Sequence, residues 1–137
     1  MGDALYPYLP QLAELIKAQL PDVENIENHQ AIAIVSGEVV KAVILYGDYT
    51  ATNLQMHIAS IDPSWCQRGV LRGLFDYPFN QLRVRRVTAL IAKKNRKARK
   101  FVERIGFVLE GVHPQMLPDG GAVCSHGMTR DKCKWIS

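Results

Sequence analysis

The chain has 137 residues, 47% hydrophobic and 22% charged, which fits one folded domain with a real core and argues against disorder or a two-domain arrangement. Its net charge of +4 is uneven, because Lys93, Lys94, Arg96, Lys97, Arg99 and Lys100 crowd one short segment, and an anionic partner is expected there. The longest apolar stretches, Ala31 to Val35 and Val39 to Tyr46, fall well short of the roughly 20 residues needed to cross a bilayer, so no membrane partner is expected.

The start, Met1 to Pro7, has neither the basic nor the apolar region of a secretory signal, and Tyr6 stands where a myristoylation signal has Ser or Thr. Cys66, Cys124 and Cys133 are odd in number and lack Cys-x-x-Cys spacing. They suggest neither a disulfide framework nor a zinc site, and free thiols in a reducing cytoplasm are the simple reading.

In chain order, Leu12, Leu15, Ile16 and Leu20 give helical spacing from Pro10 to Leu20, and Pro21 stops that helix. Ala31 to Ser36 and Val39 to Tyr46 flank Gly37-Glu38 and read as a hairpin with a two-residue turn. Asn53 to Ile61 is a third strand, ended by Asp62-Pro63. Val70, Leu71, Leu74, Phe75, Phe79 and Leu82 then repeat at helical spacing, with Pro78 predicting a kink or break. Arg86 to Ala92 is strongly β-prone. Asn95 suits the N-cap of a helix whose apolar stripe is Ala98, Phe101, Val102 and Ile105, and Gly106 suits its stop. Phe107 to Leu117 and Ala122 to Met128 close the chain as strands around the turn Pro118-Asp119-Gly120-Gly121. The strand-helix-strand order in the middle implies a parallel or mixed sheet with helices on its faces, in one domain spanning 1–137.

The series Asn95, Ala98, Phe101, Glu103, Gly106-Phe107, Glu110-Gly111 resembles the C-terminal motif of the GNAT superfamily of acetyl-CoA-dependent N-acetyltransferases. With the preceding strand and helix the resemblance runs from about Tyr46 to Met128. Phe75 to Asn80 and Met128 to Asp131 also look like the short phage and prophage members. The resemblance implies an α/β (α+β) fold with a central mixed sheet of about six to seven strands flanked by helices on both faces. It implies acetyl-CoA as cofactor and an amine acceptor on a protein or small molecule, and homodimers are common in the superfamily.

The resemblance further implies that the strand holding Met56, His57, Ile58 and Ser60 splays from its neighbour, so that its open backbone groups pair with the pantetheine arm. The pyrophosphate is then expected on the loop Arg68-Gly69-Val70-Leu71-Arg72-Gly73 at a helix N-terminus, with Arg68 and Arg72 able to add charge-assisted hydrogen bonds. Leu71 and Cys66 depart from the superfamily's pattern in that loop, where small and polar residues are usual, and a leucine there is expected to crowd the phosphates. Asn95 has two readings, contact with the cofactor or simple capping. Lys94, Arg96, Lys97 and Arg99 are candidates for the 3′-phosphate or for a solvated helix face.

The superfamily's usual acid, a tyrosine on the last helix, is replaced by Val102. His57 is the attractive base, or else a packing histidine; Ser60 holds a water or the thiolate, or else is structural. Tyr46, Asp48 and Tyr49 precede this strand, where substrates approach in related folds. An acyl-cysteine route through Cys124 stands on residue type alone, and no metal site is suggested. The rival readings are a CoA-binding or host-directed interaction protein without turnover, and a basic nucleic-acid-binding module, although the basic run has no interleaved aromatics.

Overall fold

The structure, a computed structural model, describes residues 4–7, 30–37, 39–60 and 62–136. The helix expected over Pro10 to Leu20 lies outside the described residues. Among the described residues seven strands form one sheet: β1 (Ala4–Pro7), β2 (Gln30–Ser36), β3 (Val39–Gly47), β4 (Asn53–Ser60), β5 (Arg86–Ala92), β6 (Val108–His113) and β7 (Val123–Thr129). Their order is β1-β2-β3-β4-β5-β7-β6. Every pair is antiparallel except β4 with β5, so the sheet is mixed, as the strand-helix-strand order implied. β1 was not read from the sequence, and as an edge strand it can accept Pro7, whose missing N–H need not serve a ladder.

Helix α1 (Arg68–Asp76) and helix α2 (Arg96–Arg104) follow β4 and β5. Both pack on one sheet face, where Ile44, Tyr46, Leu54, Met56, Val87 and Ala89 meet Leu71, Leu74 and Phe75 of α1 and Val102 of α2. The alternate residues Ala33, Val43, Leu45 and Ala59 are buried as well, so the sheet is dry on its second face here. Tyr46 is therefore a core residue rather than part of a substrate loop. Its hydroxyl donates to the Leu74 carbonyl at 2.7 Å, and burial pushes its pKa up.

The predicted break at Pro78 takes the form of a wide turn, Tyr77–Gln81, in which the Leu82 amide reaches back five residues to the Tyr77 carbonyl at 2.9 Å. A proline removes one donor of the regular ladder, and a π-turn absorbs the loss without ending the helix abruptly. β6 is shorter than expected because residues 114–117 turn away, and Glu110 bulges out of its pairing with β7. That bulge brings Glu110 to Arg86, and the ion pair crosses β7 over Gly127, where any Cβ would overlap both side chains.

Residues 130–136 run across both helices. Arg130 donates to the Phe79 carbonyl and, at 2.8 Å, to Asn80 Oδ1. Trp135 Nε1 donates to the Ile105 carbonyl at 2.7 Å, just past α2, and Arg68 of α1 lies 5.9 Å from the same ring.

Candidate active site

β4 and β5 pair only through Asn53 with Arg86, Leu54 with Val87 and Gln55 with Thr88. Beyond that point β4 stays on β3 as far as Ser60, and β5 stays on β7 as far as Ala92. Among the described residues, Met56 to Ser60 of β4 and Ala89 to Ala92 of β5 therefore do not pair with each other. The closed end is fastened by Thr88 Oγ1 donating to Asn53 Oδ1 at 2.7 Å and by the Arg85 and Arg86 amides donating to the Thr52 carbonyl. Buried backbone groups need partners, so an opening of this kind is a place for an extended ligand that carries amides.

A cleft of about 800 Å³ fills the opening. Met56 to Ser60 form one wall and Ala89 to Ala92 the other, while Ala98, Phe101 and Val102 of α2 line it from the helix side. Its size suits a cofactor. Met56 turns its side chain into the core and Ile58 packs against that core, so these two offer the cleft chiefly backbone. His57 alternates to the opposite face, is half-buried, and lies two residues past the last β4–β5 pair, near the closed end.

Ser60 lies at the open end, three residues or roughly 10 Å along the strand from His57. Its hydroxyl accepts from the buried Trp65 indole at 2.9 Å, which fixes the turn leading into α1. His57 and Ser60 therefore line the same cleft without forming one catalytic pair.

At the start of α1, the Leu71 amide donates to the Gln67 carbonyl at 2.9 Å, and Arg72 and Gly73 lie inside the helix. The amides of Arg68, Gly69 and Val70 have no backbone acceptor among the described residues, so the expected anion cradle shortens to these three. Nothing lies within 4 Å of a Cβ built on Gly69, so the approach is open. None of residues 68–73 lines the cleft itself; Pro63 connects the two regions.

Leu71 does not crowd this space. It is 3% exposed and packs in the core with Leu74 and Phe75, so the expected clash with phosphates is absent. Leu71→Gly or Leu71→Ala then loses stability rather than opening the loop: Leu71→Ala should cost about 2–5 kcal/mol, read as a lower urea midpoint.

Asn95 Oδ1 accepts from the Ala98 amide at 3.2 Å, so Asn95 caps α2 and also lines the cleft. The basic run divides between the faces of α2. Lys94 and Lys97 line the cleft, whereas Arg99 turns away and donates to the Lys93 carbonyl at 3.0 Å. Arg104, seven residues or about two turns beyond Lys97, takes the place on the cleft face that was expected of Arg99. Leu117, Pro118 and Asp119 of the β6–β7 loop complete the rim, another contribution the sequence reading missed. Lys94 Nζ lies 3.1 Å from Asp119 Oδ2; the Gly121 amide and then Lys94 hold that carboxyl below its usual range.

The acyl-cysteine route gains no support, because Cys124 is fully buried and does not line the cleft. Burial pushes the Cys66 thiol up, against the partial opposition of Arg104.

No protein-family model matches the chain, and no curated protein sequence does. Solved structures do match. A chimera of the Vibrio cholerae spermidine N-acetyltransferase SpeG and hSSAT superposes with a TM-score of 0.73 at 12% identity, over 96% of this chain and 98% of that one. The V. cholerae spermidine/spermine N-acetyltransferase SpeG in complex with manganese ions gives 0.69 at 15% identity, over 96% and 94%. A proposed phosphinothricin N-acetyltransferase gives 0.67 at 18% identity, over 93% and 98%. The chain has the fold of GNAT acetyltransferases. Among its described residues no helix is long and apolar enough to cross a membrane.

Proposed function

We propose that the protein is an acetyl-CoA-dependent N-acetyltransferase of the GNAT superfamily that acts on a primary amine by direct transfer in the cytoplasm. The observation that carries this reading is the parting of β4 and β5 after Gln55 and Thr88, beyond which the two strands face each other across a cleft. Cofactor fit is supported by the open edge of Met56 to Ser60 for the amides of pantetheine. The three amides at Arg68 to Val70, which have no backbone acceptor among the described residues, suit phosphate oxygens, and Lys94, Lys97 and Arg104 add positive charge along the rim.

Bound acetyl-CoA supplies the acyl group as a thioester. His57, near the closed end of the cleft, takes the proton that the amine loses as its nitrogen bonds to the carbonyl carbon and the carbon–sulfur bond breaks. Along the cleft α2 offers the apolar Ala98, Phe101 and Val102 together with Lys97 and Arg104, and the departing thiolate takes its proton from solvent at the open end.

Thermal-shift titration tests the binding half of this reading. Acetyl-CoA and CoA should raise the melting temperature, with about 2.7 kcal/mol of added stability at a concentration 100 times Kd. No shift at millimolar cofactor would remove the proposal. Binding without thiol release from a broad panel of amines would leave a CoA-binding protein without turnover as the better account.

A further inference from the structure

We propose that His126 is a proton-sensing positioning residue of the cofactor cleft, whose protonation loosens the Lys93 to Asn95 rim and weakens cofactor binding. The inference rests on the reading of the cleft as a CoA site.

His126 lies on β7 with Ala89 and Leu109 as its cross-strand neighbours, on the face that α2 covers. Among the described residues it is the only polar or charged residue classed as buried, at 0% exposure, and neither ring nitrogen has a hydrogen-bond partner. A core position with no further role would be filled at lower cost by an aliphatic side chain.

The groups that face the imidazole are few. From α2 come Glu103, whose Oε2 is 3.5 Å from Nε2, and Arg99; Glu110 acts from β6, and Cys124 is two residues away on the same strand. The 3.5 Å separation marks an ion pair in waiting rather than a hydrogen bond. Burial first, and Arg99 in addition, hold the imidazole below its usual range against the pull of Glu103, which favours the neutral ring.

Arg99 connects this cluster to the cleft. Its Nε is buried without a partner, and its Nη1 holds the Lys93 carbonyl at 3.0 Å. The next two residues, Lys94 and Asn95, line the cleft, and Asn95 caps α2. A proton on His126 draws Glu103 inward and repels Arg99, and Arg99 is the side chain that pins the rim.

The test is the affinity of the full chain for 3′-dephospho-CoA between pH 5 and 8; this probe lacks the 3′-phosphate that itself titrates near the same range. Wild-type affinity should fall about tenfold on acidification below pH 6.5, as expected for a coupling of ordinary size. The slope should not exceed one proton. His126→Gln should bind at every pH within a few-fold of wild type at pH 8. Should that variant fail to fold, Glu103→Gln gives the second reading: removing the attracting carboxylate should move the transition to lower pH. A pH-independent affinity in folded wild type overturns the inference, as does a dependence that survives in His126→Gln, which would belong to another group. Absence of binding even at pH 8 overturns the CoA reading, and this inference with it.

Discussion

His57→Ala is expected to lower turnover by about 10² to 10⁴ while leaving the affinity for CoA nearly unchanged, because positioned general-base catalysis contributes a factor of that order. The expectation comes from placement and from what surrounds it. His57 lies two residues past the last β4–β5 pair, so it stands close to where an acyl group reaching the closed end would lie. Of the α2 residues that line the cleft, Ala98, Phe101 and Val102 cannot move a proton, and Lys97 and Arg104 are cationic side chains. Because His57 points to the other face from Met56 and Ile58, removing its ring leaves the cofactor-facing backbone in place. Steady-state rates and CoA binding measured on the same preparation decide it. Parental turnover in a folded alanine variant would make the free-base fraction of the acceptor sufficient and would end the assignment.

Gly69→Glu should abolish binding of CoA without unfolding the protein. Gly69 occupies the first turn of α1, is exposed, and has open space where a Cβ would go. A glutamate there favours the positive end of the helix dipole by about 0.3–1 kcal/mol, so the melting temperature of the free protein should hold or rise. The same carboxylate fills the approach to the amides of Arg68 and Val70 and repels phosphate oxygens. Loss of the cofactor-induced thermal shift with an unchanged free-state melting temperature is the signature. A variant that binds CoA like the parent would place the phosphates elsewhere.

Local signals in the sequence carry most of the fold. Runs such as Val39 to Tyr46 and Arg86 to Ala92 are β-prone whatever surrounds them, and Asn95 marks the start of α2 because its side chain meets a donor three residues on. Leu71 is instructive: its superfamily-pattern position suggested a clash, yet its own spacing with Val70, Leu74 and Phe75 already placed it in a core stripe, and the structure follows the spacing. Where β4 and β5 part was legible only through resemblance, since no local property of Gln55 or Thr88 ends a pairing. Arg99 does not line the cleft, a matter of helical phase that residue type alone does not carry, whereas Lys97 and Arg104 share a face by their seven-residue separation. The Leu117 to Asp119 rim could not be read at all, because a loop reaches a distant cleft through tertiary packing.

The stretch from Arg130 to Trp135 matters to anyone who wishes to attach something to this chain. Through Phe79, Asn80 and Ile105 it ties the far end of α1 to the end of α2, so it sets how far apart those helices stand. A fluorophore or affinity handle joined near Trp135 would load that tie and could alter ligand affinity with no change to any group in the cleft. The exposed β2–β3 turn at Gly37, on the far side of the sheet order from α2 and its rim, is the safer place for a reporter.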